Sequence, residues 1–367
     1  MREVREFNRL DDLNNYRAAW ASLLRTTPGG SFFQSLEWIE AYWRHFGAGQ
    51  KLRTLVIFQD GKPASIVPLV VRSEKTSVGT LRFLTYPLHD WGSFYGPVGG
   101  DPRAMIEAAA NHVRCTPRDW DVFELRWQGN PEGAPVDATA AAFRAAAMPV
   151  YTTIHRRTAI IDLSTGWESY LASRSSAWRK GLRAAQRRLH DVRFERCRPQ
   201  PDEAGASDPR WDVYDACEAV ARSSWQAGAT GGTTLCHETV RPFFRDAHAA
   251  AARVGAADMS LLHRDGQPLA FAYAYHWQGS LYGLRMGYDA TARDGAGHVL
   301  LAELIRDSCR RGDRWIDLGV GQLDQKQRLA TGQLDLFRVS YFAPGAFRAQ
   351  ILRTKRWWDS QRPGKAD

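Results

Sequence analysis

The sequence predicts an α+β protein in which two similar units each combine a mostly antiparallel mixed sheet with flanking helices. The length of 367 residues exceeds one ordinary domain and suits two. A hydrophobic fraction of 44% supplies enough apolar side chains for two cores. An order of helices, antiparallel meander, helix and strand occurs twice, without a short repeat of fixed period.

The first half begins with helices and continues with strands. Apolar periodicity predicts amphipathic helices over 12–25 and 35–46. Asp60 and Gly61 separate two β-rich runs, which is typical of a hairpin turn. The remaining elements of this half are a helix near 102–114, a strand over 120–127 and a helix near 137–147.

The second half repeats this order. A strand over 151–163 opens it, and a long basic helix over 167–190 follows. Turn signals at 265–266 and 278–280 divide the next apolar segment into three adjacent antiparallel strands. The remaining elements are a strand over 192–197, helices over 209–225, 237–253 and 296–311, and strands over 314–319 and 334–342.

Several classes of protein are excluded by composition. No run of about 18 apolar residues occurs, and no apolar stretch follows the charged N-terminal residues, so we expect a cytoplasmic protein without a membrane span. The five cysteines are scattered and lack ligand spacing, which predicts free thiols and no metal site.

The net charge of +9 suits a polyanionic partner such as nucleic acid, a phosphorylated carrier or an anionic cofactor. A second interpretation is a generally solvated, Arg-rich surface. Seven lysines stand against 42 arginines, a ratio that indicates compositional bias across the whole chain. Charge alone therefore does not identify the partner.

One segment, residues 281–298, has the pattern of an anion site. A strand runs into a loop with two glycines and then directly into a helix. Such a helix start presents unpaired backbone amides to an anion such as a pyrophosphate. The other interpretation is an ordinary loop that leads into a helix.

This segment resembles the acyl-CoA-binding strand, loop and helix of GNAT acetyltransferases. Gly295, Ala296 and Gly297 match the glycine end of the family's RxxGxG or RxxGxA loop. Ala292 stands where the family has Arg or Gln, and Arg293 follows one residue late. The resemblance implies an acyl-CoA or phosphopantetheinyl acyl-carrier donor, no metal, and a cofactor-binding set of Met286, Tyr288, Arg293, Gly295, Ala296 and Gly297.

The resemblance extends over most of the chain and is closest to the CelD-like and FemAB-like double-GNAT subgroup. Three blocks carry it, at residues 31–47, 167–189 and 287–329. It implies two tandem GNAT-like domains over 1–150 and 151–342, followed by a basic helix or tail over 343–367. The acyl-donor site is expected in the second domain.

Lys326 and Asp317 are the candidate catalytic residues. In FemAB-like proteins the lysine at the position of Lys326 is thought to stabilise negative charge on the transferred carbonyl, although Gln325 here replaces the usual Tyr. A solvated loop lysine is the other interpretation. Asp317 ends a buried strand, where a carboxylate is costly without a purpose, and is the predicted base.

Arg179, Arg183 and Arg187 recur every four residues on the basic helix. They line one face and could bind the phosphates of a cofactor, a carrier or a tRNA. The other interpretation is a solvated face opposite an apolar one.

Three functions are consistent with these features. The first is acyl transfer from acyl-CoA or an acyl-carrier protein to an amine or hydroxyl of a small-molecule or carrier-bound acceptor. The second is aminoacyl-tRNA-dependent transfer of the FemAB type, favoured by the positive charge. The third is a catalytically silent binding module in envelope or polysaccharide assembly, favoured by Ala292 and Gln325 at degraded motif positions.

Overall fold

The structure is a computed structural model that describes residues 2–202, 207–224, 227, 234–290 and 295–361. The chain forms two compact units. We call residues 1–157 together with 334–367 unit one, and residues 158–333 unit two. Residues 334–342, assigned to the second domain from the sequence, fall in unit one, and the sequence-based domain boundaries stay a prediction.

The predicted α+β class, with mostly antiparallel sheets flanked by helices, is confirmed. The strands are, in chain order, β1 (Arg2–Phe7), β2 (Lys51–Leu52), β3 (Thr54–Gln59), β4 (Lys62–Val67), β5 (Val70–Thr76), β6 (Gly79–Thr85), β7 (Val98–Gly99), β8 (Val122–Gln128), β9 (Tyr151–Asp162), β10 (Arg193–Cys197), β11 (Ala257–Arg264), β12 (Gln267–Trp277), β13 (Ser280–Tyr288), β14 (Trp315–Val320) and β15 (Gly332–Phe342).

The α-helices of the described residues lie between groups of these strands or after the last of them. They are α1 (Leu10–Leu13), α2 (Arg17–Thr26), α3 (Leu36–Phe46), α4 (Pro102–Cys115), α5 (Val136–Ala145), α6 (Gly166–Ser173), α7 (Ser176–Arg188), α8 (Trp211–Ser223), α9 (Arg241–Arg253), α10 (Ala296–Arg311), α11 (Leu323–Lys326) and α12 (Phe347–Ser360).

Unit one contains two sheets. One is antiparallel with the strand order β1-β3-β4-β7, and the other has the order β2-β5-β6-β8-β15 with a single parallel pair, β6 with β8. The predicted hairpin between β3 and β4 is present, because Asp60 and Gly61 both have positive φ and so match the right-handed twist of the strands. The N-terminal strand β1 was not predicted.

Unit two is built on the strand order β10-β11-β12-β13-β14-β9. The pairs are antiparallel except for β13 with β14. Asp265 and Gly266 make the first predicted turn, and Gln278 and Gly279 make the second, each with two positive φ values. The meander that leads to β13 therefore follows from local turn chemistry.

The single helix predicted over 167–190 is wrong. The chain forms α6 and α7, which are separated at Arg174 and Ser175. The Ser175 side chain accepts a hydrogen bond from the Trp178 amide at 3.2 Å, as an N-cap residue does, so a new helix starts there. This break sets the direction of the basic helix α7.

Helices α6, α7 and α10 pack on one face of the unit two sheet around a shared apolar core. An aromatic cluster on α8, α9 and β12 surrounds the buried His248. His248 lies 2.7 Å from the Pro209 carbonyl through Nε2 and 3.2 Å from the Tyr273 hydroxyl through Nδ1. Burial lowers the pKa of His248 from 6.5 to about 4, so the ring is neutral at pH 7.

Two further observations concern the described residues alone. None of their helices combines the length and hydropathy that a membrane span requires. Their His, Cys, Asp and Glu side chains form no group of three or more that could hold a metal ion.

Candidate functional site

The parallel strands β13 and β14 stop pairing part of the way along their length. Their register joins Ser280 with Trp315 and ends at Tyr282 with Asp317. Both strands continue beyond this point, β13 to Tyr288 and β14 to Val320. We call the end of the pairing, at Gly283 and Leu318, the strand fork.

Glycine is required at the strand fork by close backbone approach. A methyl group placed on Gly283 would lie 2.9 Å from the Asp317 carbonyl oxygen, closer than real side chains come. In the pairing of β12 with β13, Ala274 opposes Gly283 and Tyr273 opposes Arg285, so Leu284 is an extra residue. A bulge of this kind bends a strand and re-aims the side chains that follow it.

Helix α10 begins with amide groups that have no acceptor within the part of the chain that the structure describes. Gly295 is its N-cap residue, has φ of 89° and has no side chain that could cap the helix. Its carbonyl accepts from the amides of His298 and Val299 at 2.9 and 3.1 Å. The amides of Gly295, Ala296 and Gly297 have no acceptor among the described residues. These three N–H groups are available to an anion.

The start of α10 packs against both β13 and α7. A methyl group on Gly297 would lie 3.1 Å from Cδ1 of Tyr288 and 3.5 Å from Cε of Met286. One on Gly295 would lie 2.9 Å from Cβ of Ala185 on α7. The structure therefore brings the predicted residues Met286, Tyr288, Gly295, Ala296 and Gly297 together, while Arg293 lies outside the described residues.

The basic helix α7 has two cationic sides. Its buried residues, Trp178, Leu182 and Ala185, form one face, which the following residue Leu189 extends. At about 100° per residue, Arg183 and Arg187 point away from that face, and both are exposed, whereas Arg179 is half-buried.

Arg188 is the α7 cation found beside the start of α10. Its Nη2 would lie 3.9 Å from a methyl group on Gly295. Spacing by four residues selected Arg179, Arg183 and Arg187 instead. The sequence feature that could have identified Arg188 is its position three residues after Ala185, which is one helical turn along the same side of α7.

Lys326 and Asp317 are linked through the backbone of one residue, Gly319. The Asp317 carboxylate accepts from the Gly319 amide at 2.9 Å and from the Thr158 hydroxyl at 2.5 Å. The Lys326 ammonium donates to the Gly319 carbonyl at 2.8 Å and to the Val320 carbonyl at 3.0 Å. Desolvation lowers the pKa of Lys326, and the negative charge of Asp317 opposes that shift.

Three left-handed residues fold Lys326 back to this position. Gly319, Gly321 and Gln322 have φ of 77°, 78° and 50°, which turns the chain into the short helix α11. A methyl group on Gly319 would lie 3.5 Å from the Gly283 carbonyl oxygen and 3.9 Å from Lys326 Nζ. A half-buried ammonium and a buried carboxylate therefore lie at the strand fork.

This geometry offers two kinds of electrostatic contact. The start of α10 presents three amides and the positive end of a helix dipole to an anion. The strand fork presents one ammonium in a desolvated setting, where an interaction with developing negative charge is stronger than in water.

Comparison with known proteins finds one family match within the chain. Residues 172–327 match the family model of the acetyltransferase (GNAT) domain, and every predicted site residue lies within that range. None of the curated protein sequences compared with the chain matches it. The family match supports acyl transfer as the general activity of the matched segment, and hence a transferase.

Solved structures show the fold over nearly the full length. The crystal structure of FemX is similar with a TM-score of 0.64 and 12% identity, over 96% of this chain and 99% of that one. The C-terminal domain of a putative lysylphosphatidylglycerol synthetase from Agrobacterium fabrum is similar with a TM-score of 0.51 and 11% identity, over 94% and 96%. The chain thus has a GNAT-superfamily fold of the FemAB-like kind.

Proposed function

We propose that unit two transfers an acyl group from a thioester donor, acyl-CoA or an acyl-carrier protein, to an amine or hydroxyl acceptor. One observation carries the proposal: the three amides of Gly295, Ala296 and Gly297 have no acceptor among the described residues and lie beside Met286 and Tyr288. An N- or O-acyltransferase needs such N–H groups to bind the phosphates of its acyl donor.

The residues present fit a phosphopantetheine-bearing donor. Gly295 and Gly297 carry no side chain that would cover the amides, and the cation of Arg188 lies on the α7 side. When bound, the donor supplies a thioester carbonyl that a nucleophile attacks. Arg183 and Arg187, on the outer side of α7, would contact only a larger donor such as a carrier protein or a tRNA.

In this proposal Lys326 acts on the carbonyl oxygen. Its ammonium is half-buried, and donating to two backbone carbonyls leaves one of its three N–H groups for a further acceptor. A compact cation there would stabilise negative charge that develops during acyl transfer.

Asp317 acts indirectly in this proposal. It accepts from Thr158 and from the Gly319 amide, and the carbonyl of Gly319 in turn binds Lys326. We therefore assign Asp317 to positioning, although the sequence suggested a base.

Titration calorimetry with coenzyme A tests the donor site. His298 lies in the first turn of α10 and is exposed, so a carboxylate there favours the helix while repelling phosphate. We expect His298→Glu to weaken coenzyme A binding about tenfold, which is about 1.4 kcal/mol, and the neutral His298→Gln to leave it unchanged. If both variants weaken coenzyme A binding equally, or if neither changes it, the donor does not bind at the start of α10.

A second candidate, aminoacyl-tRNA-dependent transfer, is favoured by the exposed side of α7 with Arg183 and Arg187. A tRNA donor would make phosphate contacts that weaken steeply with salt. Wild-type protein that binds tRNA with a steep salt dependence and does not bind coenzyme A would support this candidate over the first.

A further inference from the structure

Helix α12 of unit one has an apolar side that faces solvent. The described residues include six exposed large hydrophobic side chains, and four of them lie on this helix. Their exposed fractions are 78% for Phe347, 43% for Ile351, 49% for Trp357 and 54% for Trp358. Isolated exposed apolar residues are ordinary, but a cluster on one helix marks an interaction surface.

The exposed residues form a stripe opposite the buried side of the helix. Ala349 and Leu352 pack in a core with strands β6 and β8. At about 100° per residue, Phe347, Ile351 and Trp358 fall within about 40° of one another on the other side. We call these three residues the α12 stripe. Its members do not contribute to the core, so folding does not explain them.

Polar contacts fix α12 so that the stripe stays outward. Arg356 forms an ion pair with the buried Glu124. The Gln350 amide donates to the carbonyls of Phe342 and Ala343 at 3.2 and 2.9 Å. The helix is held along its buried side and cannot turn the stripe inward without breaking these contacts.

Cations flank the stripe. Arg348, Arg353 and Lys355 are exposed, and none of them forms an ion pair within the described residues. Asp359 is the one acidic residue of α12. The helix therefore combines an apolar stripe with an excess of positive charge.

The apolar surface continues beside the helix. Trp357 and Arg353 line an open cavity of about 700 Å³ together with Tyr151 and Tyr341. Aromatic rings and a guanidinium group at one opening suit a ligand with an apolar part and an anionic part.

We propose that α12 docks unit one onto an anionic lipid membrane surface. An interfacial helix lies in the plane of the headgroups with Trp, Phe and Ile directed to the acyl chains and Lys and Arg directed to the phosphates. The stripe lies along one helix with cations beside it, and this pairing of apolar and positive groups complements an anionic lipid surface.

Vesicle sedimentation of the full chain tests the proposal. Vesicles of equal parts phosphatidylcholine and phosphatidylglycerol should bind the protein at low ionic strength, and vesicles of phosphatidylcholine alone should bind it far more weakly. The variant Phe347→Ser, Ile351→Ser, Trp358→Ser should lose at least about tenfold in partitioning. Ile154→Ser, at an exposed apolar residue of the same unit, is the control and should bind normally.

A second variant isolates the charge. Replacing Arg348, Arg353 and Lys355 by Gln should reduce partitioning into the anionic vesicles on the order of a hundredfold. Replacing Lys62, Lys75 and Arg103, three exposed cations elsewhere in unit one, should change it little.

Three results would overturn the proposal: no binding to the anionic vesicles, equal binding by the stripe variant, or equal binding to both kinds of vesicle. If the stripe variant instead abolishes self-association in sedimentation velocity while vesicle binding persists, the occupant is a second copy of the chain. Thermal unfolding of each variant, unchanged from wild type, excludes misfolding as the cause.

Discussion

The two units each join a parallel strand pair through a helix, yet the two helices begin differently. In unit one, α4 lies between β6 and β8, and the Asp101 carboxylate caps it by accepting from the Ala104 amide at 3.1 Å. In unit two, α10 lies between β13 and β14 and begins at Gly295, which has no side chain. A carboxylate occupies in unit one the place that an anionic ligand needs, whereas in unit two no side chain of the described residues caps the helix start.

The ends of the two parallel strand pairs, β6 with β8 and β13 with β14, also differ between the units. In unit one the chain that follows β6 returns to β8, where the Tyr95 amide donates to the Trp127 carbonyl at 3.1 Å and the Gln128 side chain donates to the Tyr95 carbonyl at 3.2 Å. In unit two a lysine ammonium lies at the corresponding end of the parallel pair. One arrangement of strands and helix thus serves packing in one unit and is available for chemistry in the other.

The largest expected effect tests the assignment of chemistry to unit two. Lys326→Met keeps most of the stem volume and removes the charge, so single-turnover release of the CoA thiol from acetyl-CoA with an amine acceptor should slow by about a hundredfold. Affinity for the donor should change little, and Lys326→Arg should not restore the rate because a planar fork does not replace a point charge.

The matched control is Lys180→Met on the exposed side of α7, which should react at the wild-type rate. An unchanged rate for Lys326→Met would break the comparison, because the strand fork would then be as inert as the strand ends of unit one.

The next effect concerns the stability of unit two and not its candidate site. The pKa of His248 is lowered from 6.5 to about 4 in the folded protein, so between these values only the unfolded chain gains a proton. Stability is therefore lost as the pH falls through this window, by about 2 kcal/mol at pH 5 relative to neutral pH.

His248→Gln keeps a donor for the Pro209 carbonyl and removes the titration, so urea unfolding should show a pH dependence smaller by that amount. The exposed His190→Gln is the control. A pH dependence that survives His248→Gln intact would show that other groups govern the acid stability of this unit.

The smallest effect concerns unit one. Asp101→Ala removes the cap of α4 and should lower the free energy of unfolding by about 1 kcal/mol, measured by urea unfolding. Asp101→Asn keeps an acceptor and should be nearly neutral. Coenzyme A affinity should stay unchanged in both variants, and a loss of affinity would contradict the assignment of the donor site to unit two.

Local chemistry made much of the fold predictable. The turns at Asp60–Gly61 and Asp265–Gly266 set their hairpins because each needs two positive φ values. Helix α10 spans Ala296–Arg311, as predicted, because left-handed glycines stand at both of its ends. The prediction of one helix over 167–190 was wrong because Ser175 caps a new helix inside an otherwise uninterrupted helical pattern.

The candidate site was predictable in part. A strand, a glycine loop and a helix in sequence order indicated the start of α10, since those elements are contiguous. Arg188 was missed because the side of α7 that meets α10 depends on packing between distant segments. The link from Asp317 through Gly319 to Lys326 depends on three left-handed residues within four positions, and sequence spacing does not specify such a turn.

The discontinuity of unit one has a consequence for synthesis. Strand β8 pairs with β6 on one side and with β15 on the other, but β15 follows β8 by about 200 residues. At about 5 to 20 residues per second, one edge of β8 waits roughly 10 to 40 s for its partner. The residues of unit two all emerge within that interval. A nascent chain therefore holds an unpaired sheet edge at β8 while unit two is synthesised, and such an edge can pair with a wrong strand.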